Sequence, residues 1–157
     1  MNSFIEGRLE VLALDPGSQC GFALGTEGGP AVSGVWHLAP ARGESPGMRY
    51  LKLRSRLDSI LLLYPHLMLV AYERSFQRGQ AAREIHHKFV GELESWCATH
   101  KIEHTYVYAS TLKKHATGKG NATKAMMVTS GRRRWTPTTD SEDEMDALWI
   151  LDWAVRQ

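Results

Sequence analysis

The run Leu9 to Asp15 (LEVLALD) alternates and then turns wholly apolar before Pro16-Gly17-Ser18 breaks it. A strand with apolar side chains on both faces belongs in the middle of a sheet, with packed layers above and below it. Leu67 to Glu73 (LMLVAYE) is a second run of this kind. Both end in a carboxylate, at the strand end where open α/β sheets place functional groups.

Gly21 to Leu24 and Ala31 to His37 read as two further short strands around the turn Thr26-Glu-Gly-Gly-Pro30, so the chain opens with an antiparallel meander. Met48 to Leu63 carries Leu51, Leu53, Leu57, Ile60 and Leu61 at helical spacing opposite Arg49, Lys52, Arg54 and Arg56, and Pro65 ends that helix. Gln80 to His100 is a long helix with the stripe Ala82, Ile85, Phe89, Leu93 and Trp96. Thr105 to Tyr108 is a short strand, Ser110 caps a short helix, Ala122 to Val128 forms another, and the loop Ser130 to Thr139 leads to the last. The order is that of an α/β fold without internal repeats.

At 157 residues and 43% hydrophobic, the chain has material for one cored domain and too little for two lobes. Cys20 and Cys97 have no metal-ligand spacing and read as free thiols in a reducing cytosol. The N-terminus MNSFIEGRLE has no signal-peptide pattern, and the most apolar window, Ile60 to Tyr72, is broken by Pro65-His66 and too short to span a bilayer. A soluble cytoplasmic protein is expected.

The net charge of +2 is uninformative, but its distribution is not. Lys113, Lys114, Lys119, Lys124, Arg132, Arg133 and Arg134 lie in one stretch without an acid. Such a stretch is either a solvated loop or a strip that binds phosphates by displacing counterions. Directly after it comes DSEDEMDALWIL, with acids at 140, 142, 143, 144 and 146. A helix start accounts for Asp140, Glu142 and Glu144, since its unpaired N–H groups attract negative charge, and Thr139 with Glu142 makes a capping box. Asp143 and Asp146 instead share the inward face with Ala147, Ile150 and Ala154.

Asp15, Glu73, Asp143 and Asp146 together, from three elements, would repel one another unless a divalent cation sat between them. Oxygen ligands select Mg²⁺ or Mn²⁺, and no Cys or His arrangement argues for zinc. Two such ions beside a basic strip suit hydrolysis of a phosphodiester by in-line attack.

LALDPGSQCGFAL, VAYERSF, KGNATK (119–124) and DEMDALWIL, in this order over Leu9 to about Trp153, resemble the RuvC family of Holliday-junction resolvases. The resemblance implies an RNase H-like fold over residues 1–157 as a single nuclease domain: a mixed five-stranded sheet, three antiparallel strands then parallel additions, flanked by helices. It implies a homodimer that binds four-way DNA junctions and nicks two opposed strands, leaving 5′-phosphate ends. Asp15, Glu73, Asp143 and Asp146 take the places of the catalytic acids that bind the metal, with Mg²⁺ or Mn²⁺, two per site. Glu142, one turn from Asp146, is an alternative ligand to Asp143. Phe76 falls where the family stacks an aromatic at the junction centre, its other reading being a core Phe. Lys119 and Lys124 fall near the scissile phosphate. Lys119, whose two flanking glycines let the backbone approach DNA closely, is favoured for stabilising transition-state charge. DNA contacts are expected from Phe76, Arg78, Lys113, Lys114, Lys119, Lys124, Arg132, Arg133 and Arg134, and part of the dimer interface from the Gln80 to His100 helix. His86 and His87 are either solvated or line the dimer or DNA surface. The small size fits a virus-encoded or stand-alone member.

Other readings are a RuvC-like nuclease acting on structured RNA or other branched DNA, an actin-like ATPase or sugar kinase, and a non-catalytic nucleic-acid-binding module. The second needs another lobe, and the presence of all four acids argues against the third.

Overall fold

The computed structural model describes residues 9–76 and 78–157. The expected absence of a signal peptide rests on residues outside these. The elements are β1 (Val11–Asp15), β2 (Gln19–Thr26), β3 (Gly29–His37), α1 (Met48–Leu63), β4 (Leu69–Arg74), α2 (Gln80–His100), β5 (Glu103–Tyr108), α3 (Ala109–Thr117), α4 (Lys124–Arg132) and α5 (Glu142–Ala154). One five-stranded sheet runs in the order β3-β2-β1-β4-β5. β2 pairs antiparallel with β1 and β3, and β4 pairs parallel with β1 and β5. This is the mixed sheet expected from the meander followed by helix-linked strands.

β1 is central, and Val11 to Leu14 are at most 1% exposed. Leu12 and Leu14, with Val70 and Tyr72 of β4, pack on one side against α1 and α2 through residues such as Leu57, Phe89, Leu93 and Trp96. Val11, Ala13 and Ala71 pack on the other against α5. The small side chains there let α5 lie close. α5 is buried nearly all round, from Glu144 and Met145 to Ala154, so its sequence lacks an amphipathic stripe. In α1, Leu53, Leu57 and Ile60 are buried, but Leu51, expected in the stripe, is 58% exposed.

β2 and β3 run longer than expected, because the turn contracts to Glu27 and Gly28 and Gly29 takes a φ of +116°. Pro30 is tolerated because β3 is an edge strand. Gly21 marks a close approach of backbones: a Cβ there would lie 1.8 Å from the carbonyl oxygen of Asp143. The start of α5 therefore rests directly on β2. Cys20 and Cys97 are both buried and free. No helix among the described residues is long and apolar enough to cross a membrane.

The Thr139–Glu142 capping box does not form. Ser141 is the N-cap, and its Oγ accepts from the Asp143 N–H at 3.1 Å. Thr139 is engaged elsewhere, by a residue read as a helix-start acid. Glu144 is fully buried and accepts hydrogen bonds of 2.7–2.9 Å from the N–H and Oγ1 of Thr138 and Thr139 and the hydroxyl of Ser33. Burial alone would raise its pKa, but these bonds outweigh it and hold the carboxyl below its ordinary range. The ionised carboxylate ties β3, the 138–139 loop and α5 together. Glu144→Gln keeps the shape but loses charge-assisted bonds of about 1.5–3 kcal/mol each and turns an amide N–H₂ toward donors. A net cost of about 3 kcal/mol is expected, a fall of roughly 6–12 °C in Tm at this size, and an unchanged melting curve would refute this role.

Candidate active site

β1 and β4 lie side by side in parallel register, with Leu14 opposite Tyr72, so the next residues, Asp15 and Glu73, end the strands as neighbours on the α5 side of the sheet. α5 starts above them because Gly21 lets its first turn settle on β2. Asp15, Glu73 and Asp146 can each offer a carboxylate oxygen, all within 4.8 Å of one another. An ion with ligands at about 2.1 Å spans roughly 4 Å across, so small rotations bring all three oxygens onto one divalent cation. Asp143, one turn before Asp146, hydrogen-bonds Asp15. All four line a cleft of about 520 Å³, with the Pro16–Gln19 turn, the start of α2, Lys113 and Lys124.

The electrostatics of the acids are mutually dependent. Burial, then the charges of Glu73 and Asp146, push the Asp15 carboxyl well above the usual range. Asp146 is raised to about 7, first by burial and then by Glu73, with Lys124 opposing. Glu73 is raised by burial, against its hydrogen bond with Asp15 and the nearby Lys124 and Lys113. Three carboxylates that cannot all ionise in place are an environment that a hard cation relieves. The residues present thus fit a divalent ion held by Asp15, Glu73 and Asp146, with Asp143 against Asp15.

Between the two alternatives at the start of α5, Asp143 enters the cleft wall, whereas Glu142 is 54% exposed and lies 3.9 Å from Lys124. The basic strip is divided by the fold. Lys113 stands in the wall, and Lys124 Nζ is 3.6 Å from Asp146. Lys119, favoured in sequence, lies in the exposed turn before α4 and outside the cleft wall. The reason is local: Gly118 turns the chain outward with φ +83°, and Thr123 caps α4 so that Lys124, its first residue, is aimed back at the acids. Lys114 and Arg133 are exposed, and Arg132 lies 3.6 Å from Asp140. Arg134 is committed elsewhere, with both NH groups on Asp152 at 2.9 Å and its guanidinium over Trp135. In this geometry it serves the packing of α5, with its side chain still 40% exposed. Arg78 is exposed, and Phe76 is 90% exposed, which removes the reading of a core Phe.

His86 is not solvated: it is 4% exposed and lines the cleft, and neither ring nitrogen has a hydrogen bond of good geometry. Burial lowers its pKa, and the nearby Pro16 carbonyl only partly opposes this, so a neutral ring is favoured. His87 is exposed. The sequence carried a signal for Gly21, since a glycine inside a strand marks close backbone approach. It carried none for Glu144, whose partner Ser33 is distant in the chain.

No protein-family model matches the sequence, and no curated protein does. Solved structures do. The structure described as Thermus thermophilus RuvC in complex with Holliday junction substrate superposes with a TM-score of 0.79 at 17% identity, over 94% of this chain and 96% of that one. A second T. thermophilus RuvC structure gives a TM-score of 0.71 at 18% identity, over 90% of each chain.

The chain has the RuvC fold. The RuvC-like framework accounts for the shape of the cleft: parallel strands present Asp15 and Glu73 together, and α5 crosses their ends to add Asp143 and Asp146. At this level of identity the likeness concerns the fold, and the chemistry rests on the residues themselves.

Proposed function

We propose that this protein is a metal-dependent, structure-selective DNA endonuclease that resolves four-way junctions by paired symmetric nicks. The observation that carries the reading is the convergence of Asp15, Glu73 and Asp146, with Asp143 and Lys124 beside them, in an open cleft. On a RuvC-like fold whose solved neighbour is described with a Holliday junction substrate, that cluster favours phosphodiester hydrolysis of branched DNA.

In this reading Mg²⁺ or Mn²⁺, two per site, is held by the four acids and supplies activation of water and neutralisation of the leaving oxygen. The chain's own residues do the rest. Asp143, which hydrogen-bonds Asp15 while the pair holds a proton, would give up that proton and join Asp146 in holding the ions from the α5 side. Lys113 and Lys124 draw the phosphate into an acidic cleft that would otherwise repel it. Lys114, Lys119, Arg132 and Arg133, exposed on the same stretch, hold flanking phosphates. The domain acts as a homodimer, α2 forming part of the interface, so that two clefts address opposed strands and leave 5′-phosphate ends.

The test is to incubate the protein with a synthetic four-way junction, a linear duplex and a structured RNA, with Mg²⁺, Mn²⁺ or EDTA. Symmetric nicks confined to branched DNA and abolished by EDTA are expected; RNA cleaved as fast as the junction would overturn the assignment. Lys124→Ala should lower the cleavage rate about 10²-fold with junction affinity within a few-fold. Arg133→Ala should do the reverse, weakening binding and flattening its salt dependence.

A further inference from the structure

Beyond the acids, β4 and β5 end in a run of exposed rings. Phe76, Tyr108 and Tyr106 are 90%, 42% and 39% exposed. The Phe76 and Tyr108 rings are parallel to within 2°, with centroids 6.2 Å apart, and Tyr106 meets Tyr108 edge-on at 5.3 Å. The Arg74 guanidinium lies 4.8 Å over the Tyr106 ring. Register places Arg74 opposite Tyr108 and Tyr72 opposite Tyr106, so the rings and Arg74 share one face of the sheet's edge. That is the face packed by α2, which covers the inner residue: Tyr72 is fully buried, its hydroxyl donating to Glu94. Scattered exposed aromatics need no explanation, whereas a contiguous row with a cation on it does.

The row begins at the rim of the cleft. Ser75 and Ala109, chain neighbours of Phe76 and Tyr108, are both in the cleft wall, as are Ala82 and Ile85 of α2. The cleft thus extends across the C-terminal edge of the sheet, from the acids on the α5 side to the side where the rings lie. A chain leaving the acids in this direction meets Phe76 and Tyr108 first, then Tyr106 with Arg74. Flat rings in series beside exposed Arg74 and Arg78 match the two requirements of an unpaired nucleic acid strand, stacking for bases and cations for phosphates.

We propose that Tyr108, Tyr106 and Arg74 continue from Phe76 as a stacking track for successive unpaired bases of the strand that enters the cleft. The inference rests on the nuclease reading and sharpens its substrate: branched DNA with several unpaired nucleotides beside the scissile phosphate, so that forks and flaps are bound as well as closed four-way junctions. The base contact of Phe76 is expected from the family; the two tyrosines and Arg74 make a single contact into a track.

The test uses the full chain with Asp146→Asn in the background, so that binding is read without cleavage. Fluorescence anisotropy compares a fork bearing a short oligothymidylate arm, the same fork with abasic residues in the arm, and a linear duplex. Tyr108→Ala and Tyr106→Ala are each expected to weaken binding of the thymidylate fork about 10-fold. Neither should alter binding of the abasic fork or the duplex. Tyr108→Phe should bind as the parent does, because the ring and not the hydroxyl stacks, and it also separates the effect from misfolding. Equal loss on thymidylate and abasic arms, or no loss on either, overturns the track. So does a change of oligomeric state by light scattering in the alanine variants with fork affinity retained, which would assign the rings to a protein interface. Failure of the nuclease reading is distinguishable: the wild-type chain would then cleave no branched DNA with Mg²⁺ or Mn²⁺, whatever the tyrosines do.

Discussion

Asp146→Asn is expected to abolish cleavage and at the same time to raise the melting temperature of the metal-free protein. The two effects have one cause. The Asp146 carboxyl is raised to about 7, by burial first and by Glu73 next, against an ordinary value of 3.8. Because the folded value is the higher, the folded state binds the proton more tightly across that interval. Its contribution to stability is full below the unfolded pKa and is lost as pH rises from about 4 through about 7. A shift of this size is worth at most about 4 kcal/mol at 1.36 kcal/mol per pKa unit. The proton is shared with Asp15 and Glu73, so a neutral amide should recover roughly 2 kcal/mol, or about 4–8 °C in Tm at pH 8 in EDTA. The gain should largely vanish near pH 4, close to the unfolded value, and be gone below it, where the carboxyl is protonated in both states.

A divalent ion reverses the order. It binds the wild-type acids at pH 8, stabilising the fold by mass action, and binds Asp146→Asn less. Its affinity should fall as pH drops below 7, because protons compete for the same oxygens. Melting curves at pH 4 and 8, with and without Mg²⁺, check the sign. Cleavage should drop about 10³-fold or more, the loss of several kcal/mol of charge stabilisation, with junction binding retained. A metal-free variant that melts below the wild type at pH 8 would mean that Asp146 is a structural carboxylate and not a strained ligand.

Among the described glycines, Gly21→Ala should be the most damaging substitution. The added carbon would sit 1.8 Å from the Asp143 carbonyl oxygen, 2.3 Å from its carbonyl carbon and 2.9 Å from the Glu144 nitrogen. All three are main-chain atoms, so no side chain can swing aside and the first turn of α5 must lift. Overpacking of this kind costs about 3 kcal/mol, or about 6–12 °C. The displacement also carries Asp143 and Asp146 away from Asp15 and Glu73, and an error of 1 Å can cost about 10²-fold in rate. A control is Gly91→Ala in α2, where nothing lies within 4 Å and a better helix former should be neutral or stabilising. Cleavage assays and melting curves of the two variants suffice, and a Gly21→Ala protein with wild-type rate and stability would refute the close approach of α5.

Much of this was legible from side-chain pattern. LEVLALD and LMLVAYE had to be central strands because nothing else buries both faces of so short a run, and their terminal acids followed from chain order. Asp143 and Asp146 were readable from their three-residue spacing. Where pattern did not discriminate, several residues of one type competed. Lys119 and Lys124 differ in sequence only by context, yet a left-handed Gly118 and a Thr123 cap send one to solvent and the other to Asp146. Glu142, Asp143 and Glu144 are consecutive acids with three fates: solvent, the cleft and the core.

The sequence alone determined which segments are strands and helices, because burial of apolar side chains at a period of 2 or 3.6 residues is a local property. It also determined that carboxylates end those strands and begin the last helix. Only the tertiary structure decided which charges meet. A carboxylate carries no mark of its partner; Ser33 and Thr138 make Glu144 a structural ion, while Asp15 and Glu73 make Asp146 a strained one. Partners brought together from distant parts of the chain set desolvation and Coulomb energy, which separate a buttress from a metal ligand.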